Sequence, residues 1–244
     1  MLTHLSLFTG IGGIDLAAEW AGFKTIGQVE CDRFAREILR LRFGDIPRWD
    51  DIRDVSADDF RRETGVKRPT LITGGFPCQP FSTAGKRRGK EDDRYLWPEM
   101  LRVVSELRPA WVVGENVAGI VSMALDDCLS DLEGEGYAVR AFLIPACAVG
   151  APHRRDRVFI VAADTTGKGL QRADTEGDTC TKGCTPKPGQ GGWEANWWQT
   201  EPRVGRMADG VPHRVDRLRC LGNAVVPQQI YPILKTIAEI ESKV

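Results

Sequence analysis

Short apolar runs alternate with stretches of helical periodicity along most of the chain. The runs that predict strands lie at 4–8, 25–30, 70–74, 110–115, 137–144 and 157–163. Apolar residues recur at helical spacing between most of these runs, most clearly at 33–43, 96–107 and 120–133. Strands that alternate with helices in this way predict an α/β fold built around a mostly parallel sheet.

This pattern stops at position 164. Residues 164–192 contain six Thr and seven Gly but only one large aliphatic side chain, Leu170. A segment so poor in apolar residues cannot form a core strand or helix by itself. The amphipathic pattern returns near position 220, with a helix predicted from about Pro227. We therefore predict a main domain formed by residues 1–163 and 213–244, with a small irregular region at 164–212.

Composition narrows the class of protein. The chain has 244 residues, 42% of them hydrophobic and 27% charged, as in ordinary globular proteins. No apolar run approaches the ~20 residues of a membrane span, and no secretory signal is visible at the N-terminus. Seven scattered cysteines are typical of a reducing compartment rather than of a disulfide framework. We expect a cytoplasmic protein without a membrane partner, associated with the nucleoid if it is prokaryotic.

The formal net charge of −1 hides a clustered distribution of basic residues. Five basic and three acidic residues lie at 86–94, three Arg and one Asp at 154–157, and five Arg and two Asp at 203–219. These segments predict a basic cleft that could bind nucleic acid in a salt-dependent way despite the neutral total.

A glycine-rich turn, Phe8-Thr-Gly-Ile-Gly-Gly13, lies between the first predicted strand and a helix. Glycines allow a tight turn that approaches a ligand closely, and the helix start offers free N–H groups. Glu30 ends the second predicted strand, where an acid commonly binds ribose hydroxyls. The two features together suggest a nucleoside-bearing cofactor, although an ordinary glycine-rich turn would fit the first feature equally well.

A second motif, Gly74-Gly-Phe-Pro-Cys-Gln-Pro-Phe-Ser82, directly follows the strand at 70–74. Cys78 lies between Pro77 and Pro80 on this loop, so its thiolate is a candidate nucleophile held at the edge of the sheet. A buried structural cysteine is the commoner role for this residue type, and the flanking prolines make it less fitting here.

Two further strand ends carry charged residues. Glu115 and Asn116 end the strand at 110–115, where a carboxyl could act as an acid if burial raises its pKa; most such acids are solvated. Arg155 and Arg157 precede the strand at 157–163 and would share a face if both were extended. They could then clamp a base, a phosphate or a carboxylate, or simply form a basic surface.

The order of these motifs resembles that of the C5-cytosine DNA methyltransferases. The matching sequence is FTGIGG, VECD, GGFPCQPFS, ENV, PHRRDRVF and GNAVVP, which spans 1–163 and 214–240. The resemblance implies a Rossmann-like fold for S-adenosylmethionine-dependent methyl transfer, with 164–212 as an unusually short target-recognition region. His153 departs from the pattern, since the family usually has Gln there.

The resemblance implies a cofactor site for S-adenosyl-L-methionine. Phe8 would pack on the adenine, Glu30 would bind the ribose hydroxyls, and the glycine turn would line the methionine end. The residues implied in this site are Phe8, Gly10, Ile11, Gly13, Glu30, Cys31, Asp51, Ile52, Pro77, Leu96, Asn223 and Ala224.

The resemblance also implies a mechanism. Cytosine C5 is a poor nucleophile, and attack of the Cys78 thiolate on C6 would activate it. Glu115 would hydrogen-bond or protonate N3, and Arg157 would orient the base, with Asn116 and Arg155 completing the catalytic set. The target base must be flipped out of the duplex to reach such a site.

Double-stranded DNA is the partner that the resemblance implies, and a cognate restriction endonuclease would fit the same system. We expect a monomer. The residues expected at the DNA are Gln79, Ser82, Lys86, Arg87, Arg88, Trp197, Arg203 and Arg206. The tryptophans near Trp197 fit a small core of the recognition region equally well. Cys180 and Cys184 match zinc-ligand spacing poorly, so we predict no metal.

Three other interpretations account for part of the pattern. A few proteins of this fold methylate cytosine in tRNA and carry the same motifs; we favour DNA because no tRNA-specific motif is visible. The short region at 164–212 also fits a catalytically inactive DNA-binding relative. A nicotinamide-dependent oxidoreductase would share the glycine turn and Glu30, but it leaves the Pro-Cys-Gln motif and the arginine pair unexplained.

Overall fold

A mixed sheet of seven strands forms the centre of the computed structural model, which describes residues 1–77, 95–166 and 213–243. The strands are β1 Thr3–Leu7, β2 Lys24–Val29, β3 Arg48–Trp49, β4 Leu71–Gly74, β5 Trp111–Val117, β6 Tyr137–Ile144 and β7 Arg157–Asp164. Their order across the sheet is β3-β2-β1-β4-β5-β7-β6. Neighbouring strands pair in parallel from β3 to β5, whereas β7 is antiparallel to both β5 and β6. The predicted α/β fold with a mostly parallel sheet is confirmed.

Helices cover both faces of this sheet. They are α1 Gly13–Trp20, α2 Arg33–Phe43, α3 Ala57–Thr64, α4 Trp97–Leu107, α5 Leu125–Gly134, α6 Arg214–Asn223 and α7 Pro227–Glu241. One face is closed by a core that includes Phe60, Trp97 and Met100. On the other face, Ile230 and Leu234 of α7 pack in a second core with Ile14 of α1. The C-terminal helix is thus part of the same layered unit as the first helix.

The observed elements depart from the sequence prediction at several places. The predicted helix at 120–133 is divided into a short 3₁₀ turn, Ala118–Ser122, and α5, because Ala124 between them has φ −154°. The short strand β3 and the polar helix α3 carry little apolar pattern and were not predicted. No helix in the described parts of the chain combines the length and apolar character needed to cross a membrane.

A buried polar network crosses the sheet beneath the glycine-rich turn. Asp15 in the first turn of α1 accepts hydrogen bonds from Ser6 Oγ at 2.9 Å and from Gln28 Nε2 at 2.7 Å. Gln28 in turn accepts a hydrogen bond from Arg48 Nε at 2.8 Å, which joins β3 to the network. Burial raises the pKa of Asp15 from 3.8 to about 6, while the hydrogen bonds from Gln28 and Ser6 oppose the rise.

Replacing Asp15 with asparagine should make the protein more stable at pH 7.5 and remove part of its pH dependence. A carboxyl whose pKa is raised on folding contributes stability below the pKa of the unfolded chain, and this contribution is lost as pH rises through about 6. The loss amounts to about 3 kcal/mol for a shift of roughly two pH units. Asn keeps an acceptor for Gln28 and cannot ionise, so chemical denaturation at pH 4 and pH 7.5 should show a gain only at the higher pH.

Asp126→Asn, at an exposed position on α5, serves as the matched control and should show no such pH-dependent gain. Equal destabilisation of Asp15→Asn at both pH values would contradict the prediction.

Candidate active site

A cavity of about 770 Å³ opens where the parallel strands end. Turns that follow β1, β2, β4 and β5 form its walls, together with the end of α6. Its lining includes most of the catalytic and cofactor residues predicted from sequence, namely Phe8, Gly10, Glu30, Cys31, Asp51, Ile52, Pro77, Leu96, Glu115, Asn116, Arg157 and Asn223. The topology therefore gathers chemical groups that are far apart in the sequence, because parallel strands deliver their carboxyl ends to one edge.

The glycine-rich turn uses its glycines in two different ways. Gly10 has φ +57°, and a Cβ added there would meet nothing within 4 Å, so the turn leaves open space at the cavity wall. Gly13 instead allows close packing, since its Cβ would lie 2.5 Å from the Val225 carbonyl oxygen. Gly13, Ile11 and Ala224 are absent from the described cavity lining, and their contact with a cofactor stays a prediction.

Glu30 is fixed by the backbone on two sides. Its Oε2 accepts a hydrogen bond from Gly10 N at 2.6 Å, and its Oε1 accepts one from Asp32 N at 2.8 Å. Asp32 caps α2 by accepting from Ala35 N at 2.9 Å, and it also pairs with Arg219 of α6. These contacts hold the carboxylate beside the glycine-rich turn and join α6 to the opposite wall of the cavity.

Replacing Gly13 with alanine should destabilise the protein and weaken binding of the cofactor that the resemblance implies. The added methyl group would collide with backbone that cannot rotate away, so α1 and the segment at Val225 would have to separate. Overpacking of this kind costs roughly 1–3 kcal/mol. Denaturant titration and calorimetric binding of S-adenosylhomocysteine measure the two effects.

Gly134→Ala is the matched control, because a Cβ at this helical position meets nothing within 4 Å. We expect this variant to be as stable as wild type or more stable by up to about 1 kcal/mol, because alanine is the better helix former. Wild-type stability in Gly13→Ala would contradict the packing role of this glycine.

Glu115 is buried at the end of β5 with 8% of its surface exposed, so it is not a solvated strand-end acid. Its Oε1 lies 2.8 Å from Arg157 Nε, and its Oε2 would be 3.1 Å from a Cβ at Gly75. Burial raises its pKa from 4.5 to about 7, against the opposing charges of Arg157 and Arg155. A carboxyl of this kind can hold or release a proton near neutral pH inside the cavity.

Asn116 connects the acid-bearing strand to the neighbouring loop. Its Nδ2 donates to the Phe76 carbonyl at 2.9 Å, and its Oδ1 accepts from Val117 N at 2.9 Å. The Phe76 ring contacts Trp97 with ring centroids 4.9 Å apart. The backbone two residues before Cys78 is therefore held at the cavity edge by β5 and α4.

Arg155 does not share a strand face with Arg157, because β7 begins at Arg157 and Arg155 has φ +36°. Its Nη2 donates to the carbonyl oxygens of Gly222 at 2.8 Å and Ala224 at 2.6 Å. The two arginines therefore do not form the paired clamp that an extended backbone at both positions would have allowed. Arg155 ties the 222–224 turn to the start of β7, while Arg157 alone of the two lines the cavity.

Several predicted residues lie outside the parts of the chain that the structure describes. They are Cys78, Gln79, Ser82, Lys86, Arg87, Arg88, Trp197, Arg203 and Arg206, with Cys180 and Cys184. Among residues 1–77, 95–166 and 213–243, no group of three or more His, Cys, Asp and Glu side chains could hold a metal ion.

Sequence reasoning missed other members of the cavity wall, including Asp32, Gly75, Arg219 and Cys220. Asp32 carried a readable signal, since an aspartate before an amphipathic run is a typical helix cap. Arg219 was counted only among the basic residues at 203–219, because its contact with Asp32 joins residues that are distant in the sequence.

Comparisons with known proteins agree with the geometry. The family model for C-5 cytosine-specific DNA methylase matches residues 2–179. The type II methyltransferase M.AquIA of Picosynechococcus sp. is 37% identical over 183 residues, which cover 68% of this chain and 73% of that protein. M.NgoFVII of Neisseria gonorrhoeae, also a type II methyltransferase, is 35% identical over 162 residues, which cover 64% of this chain and 42% of the relative.

A crystal structure of the S. pombe Dnmt2 methyltransferase is similar with a TM-score of 0.58 and 26% identity, over 70% of this chain and 53% of that one. The chain thus spans about half or less of M.NgoFVII and of the S. pombe protein. The fold, the cavity at the carboxyl ends of the strands and the family model agree with one another. The chain belongs to the C-5 cytosine-specific DNA methylase family.

Proposed function

We propose that this chain transfers a methyl group from S-adenosyl-L-methionine to C5 of cytosine in double-stranded DNA. The observation that carries the proposal is the cavity itself. A buried carboxyl, Glu115, with a pKa near 7 and an arginine partner lies in the same space as a glycine turn and a fixed Glu30 carboxylate. Acid chemistry and nucleoside binding are thereby combined in one site.

The residues present fit the proposed cofactor. The open space at Gly10 leaves room beside the turn, and Glu30 presents a carboxylate of fixed orientation to sugar hydroxyls. Phe8, Ile52 and Leu96 supply apolar surface for a purine ring. When bound, S-adenosyl-L-methionine supplies an electrophilic methyl group.

The protein residues would activate the base. The Cys78 thiolate would form a bond to C6, which makes C5 nucleophilic toward the methyl group. Glu115 would donate a hydrogen bond or proton to N3 and so stabilise the charge that develops on the ring. Transfer of the C5 proton to water would then return its electron pair to the ring as the C5–C6 double bond, expel the Cys78 thiolate and restore the aromatic ring.

Arg157 and Asn116 would support this chemistry from the described part of the site. Arg157 holds Glu115 through a 2.8 Å ion pair, which fixes the orientation of its carboxyl group. Asn116 holds the Phe76 carbonyl and with it the start of the loop that carries Cys78. Neither interaction requires a metal ion.

A comparison of nucleic-acid substrates tests the proposal. Incorporation of labelled methyl groups into duplex DNA and into tRNA, with bisulfite sequencing of the DNA, reports activity and target together. We expect transfer to DNA. Transfer to tRNA alone would replace the substrate and retain the chemistry, and no transfer to either despite cofactor binding would favour an inactive DNA-binding relative.

DNA binding should weaken as salt increases even though the net charge is −1. Each phosphate neutralised by Lys or Arg adds about −0.9 to the slope of log K against log salt concentration. Changing Lys86, Arg87 and Arg88 to alanine should make this slope shallower by up to about 2.7, the contribution of three phosphate contacts. Replacing the exposed Arg33, Arg40 and Arg42 of α2 with alanine removes the same three charges and controls for net charge, and an equal change in slope in that variant would contradict the assignment.

A further inference from the structure

A single buried carboxamide joins two segments next to the active site. Gln229, in the first turn of α7, is 0% exposed. Its Nε2 donates to the carbonyl oxygens of Ile144 at 2.8 Å and Arg155 at 3.0 Å. Ile144 ends β6 and Arg155 precedes β7, so this side chain binds both ends of the connection between the two strands.

The oxygen of the same carboxamide is left without a partner. Gln229 Oε1 is buried and accepts no hydrogen bond from any described residue. A buried polar atom of this kind reduces stability, so an apolar side chain would satisfy mere packing better at this position. The presence of glutamine at this position is therefore explained by the two hydrogen bonds that its Nε2 donates, not by packing.

One of these hydrogen bonds goes to Arg155, whose backbone is in an uncommon conformation. A φ of +36° is rare for a residue with a Cβ, and it persists only where neighbouring contacts hold it. The Gln229 bond to the Arg155 carbonyl is one such contact. The Arg155 guanidinium then reaches the carbonyl oxygens of Gly222 and Ala224, on either side of the cavity residue Asn223.

We propose that Gln229 is a positioning residue for the cofactor, which acts through Arg155 on the 222–224 wall of the cavity. The inference rests on the proposed function for the identity of the ligand. The relay runs from α7 through the Arg155 backbone to its guanidinium, and from there to the turn that carries Asn223. Without the Gln229 donor, Arg155 relaxes toward ordinary φ values and releases the two carbonyl oxygens.

Binding of S-adenosylhomocysteine, measured by calorimetry on the full chain, tests this relay. Gln229→Met keeps the volume and removes both donors, and Arg155→Met removes the guanidinium. Each should raise Kd about tenfold, and the double variant should stay near tenfold because both changes break the same relay. Gln228→Met, at the adjacent half-buried position, should remain within twofold of wild type.

Gln229→Glu provides a second variant in case Gln229→Met fails to fold. Its protonated carboxyl keeps the shape and one of the two donors, so its Kd should lie between those of wild type and Gln229→Met. Wild-type Kd in folded Gln229→Met, or multiplication of the two effects to about a hundredfold in the double variant, would overturn the relay.

Hydrogen exchange of the amides at 222–226 separates this inference from the proposed function. Exchange should be faster in Gln229→Met and Arg155→Met than in Gln228→Met, whether or not a ligand is added. If wild type fails to bind S-adenosylhomocysteine, the proposed cofactor is wrong. The exchange rates alone then show whether Gln229 acts through Arg155 on residues 222–224. Equal protection in all four proteins would overturn it.

Discussion

Replacing Cys78 with alanine is expected to lower the rate of methyl transfer to duplex DNA by about 10⁴-fold or more, as removal of a covalent nucleophile typically does. Without the thiolate, C6 has no partner and C5 keeps the weak nucleophilicity of an aromatic ring carbon. The residues assigned above to the proposed cofactor do not include Cys78, so binding of S-adenosylhomocysteine should be unchanged. Single-turnover transfer of a labelled methyl group measures the rate.

Cys147→Ala is the matched control, because Cys147 is an exposed free cysteine outside the cavity lining. It should transfer methyl groups at the wild-type rate. Full activity in Cys78→Ala or Cys78→Ser would remove the nucleophile from the proposal and with it the assigned reaction path.

Glu115→Gln is expected to lower methyl transfer by about 10²–10³-fold, within the usual range for loss of a general acid. Glutamine retains an N–H donor toward a ring nitrogen but cannot deliver a proton. It also leaves Arg157 without its carboxylate partner in a largely buried position. The variant should still bind S-adenosylhomocysteine, because Glu30 and the glycine turn are unchanged.

The rate of methyl transfer should also depend on pH differently in wild type and in Glu115→Gln. In the proposed mechanism the protonated carboxyl is the active form, and burial raises its pKa to about 7, so the wild-type rate should fall as pH rises above 7. That decline should be absent in Glu115→Gln, whose side chain does not titrate. Glu133→Gln, exposed on α5, should keep both the wild-type rate and the decline. An unchanged profile in Glu115→Gln would assign the decline to another group.

Apolar runs predicted the central strands β1, β4, β5 and β7 well, because burial on both faces leaves a continuous hydrophobic signature. Helix α3 escaped prediction since Phe60 is its only buried side chain. Its ends were nonetheless readable. Ser56 caps the helix by accepting from Asp59 N, and Gly65 ends it in a left-handed conformation. Capping residues would have located this helix where hydrophobic periodicity could not.

Tertiary contacts decided what local spacing could not. The two-residue interval between Arg155 and Arg157 suggested a shared strand face, but hydrogen bonds to the 222–224 turn and to Gln229 place Arg155 outside the strand. Which glycine faces the cavity was equally hidden. Val225, more than 200 positions away, packs against Gly13, whereas the space beside Gly10 is open. Motif order indicated the family, and the packing of distant segments determined the detailed geometry.

The single antiparallel strand has a consequence for protein engineering. Because β7 runs against its neighbours, it ends at the edge of the sheet opposite the cavity, and Asp164 is anchored there by Arg68 and Arg108. His213, where the chain enters α6, contacts Phe34 of α2. The segment 167–212 is thus flanked by two anchored positions, Asp164 at the edge of the sheet opposite the cavity and His213 beside α2. Under the proposed function, foreign recognition modules could be grafted between these two positions while Asp164 and His213 keep their contacts.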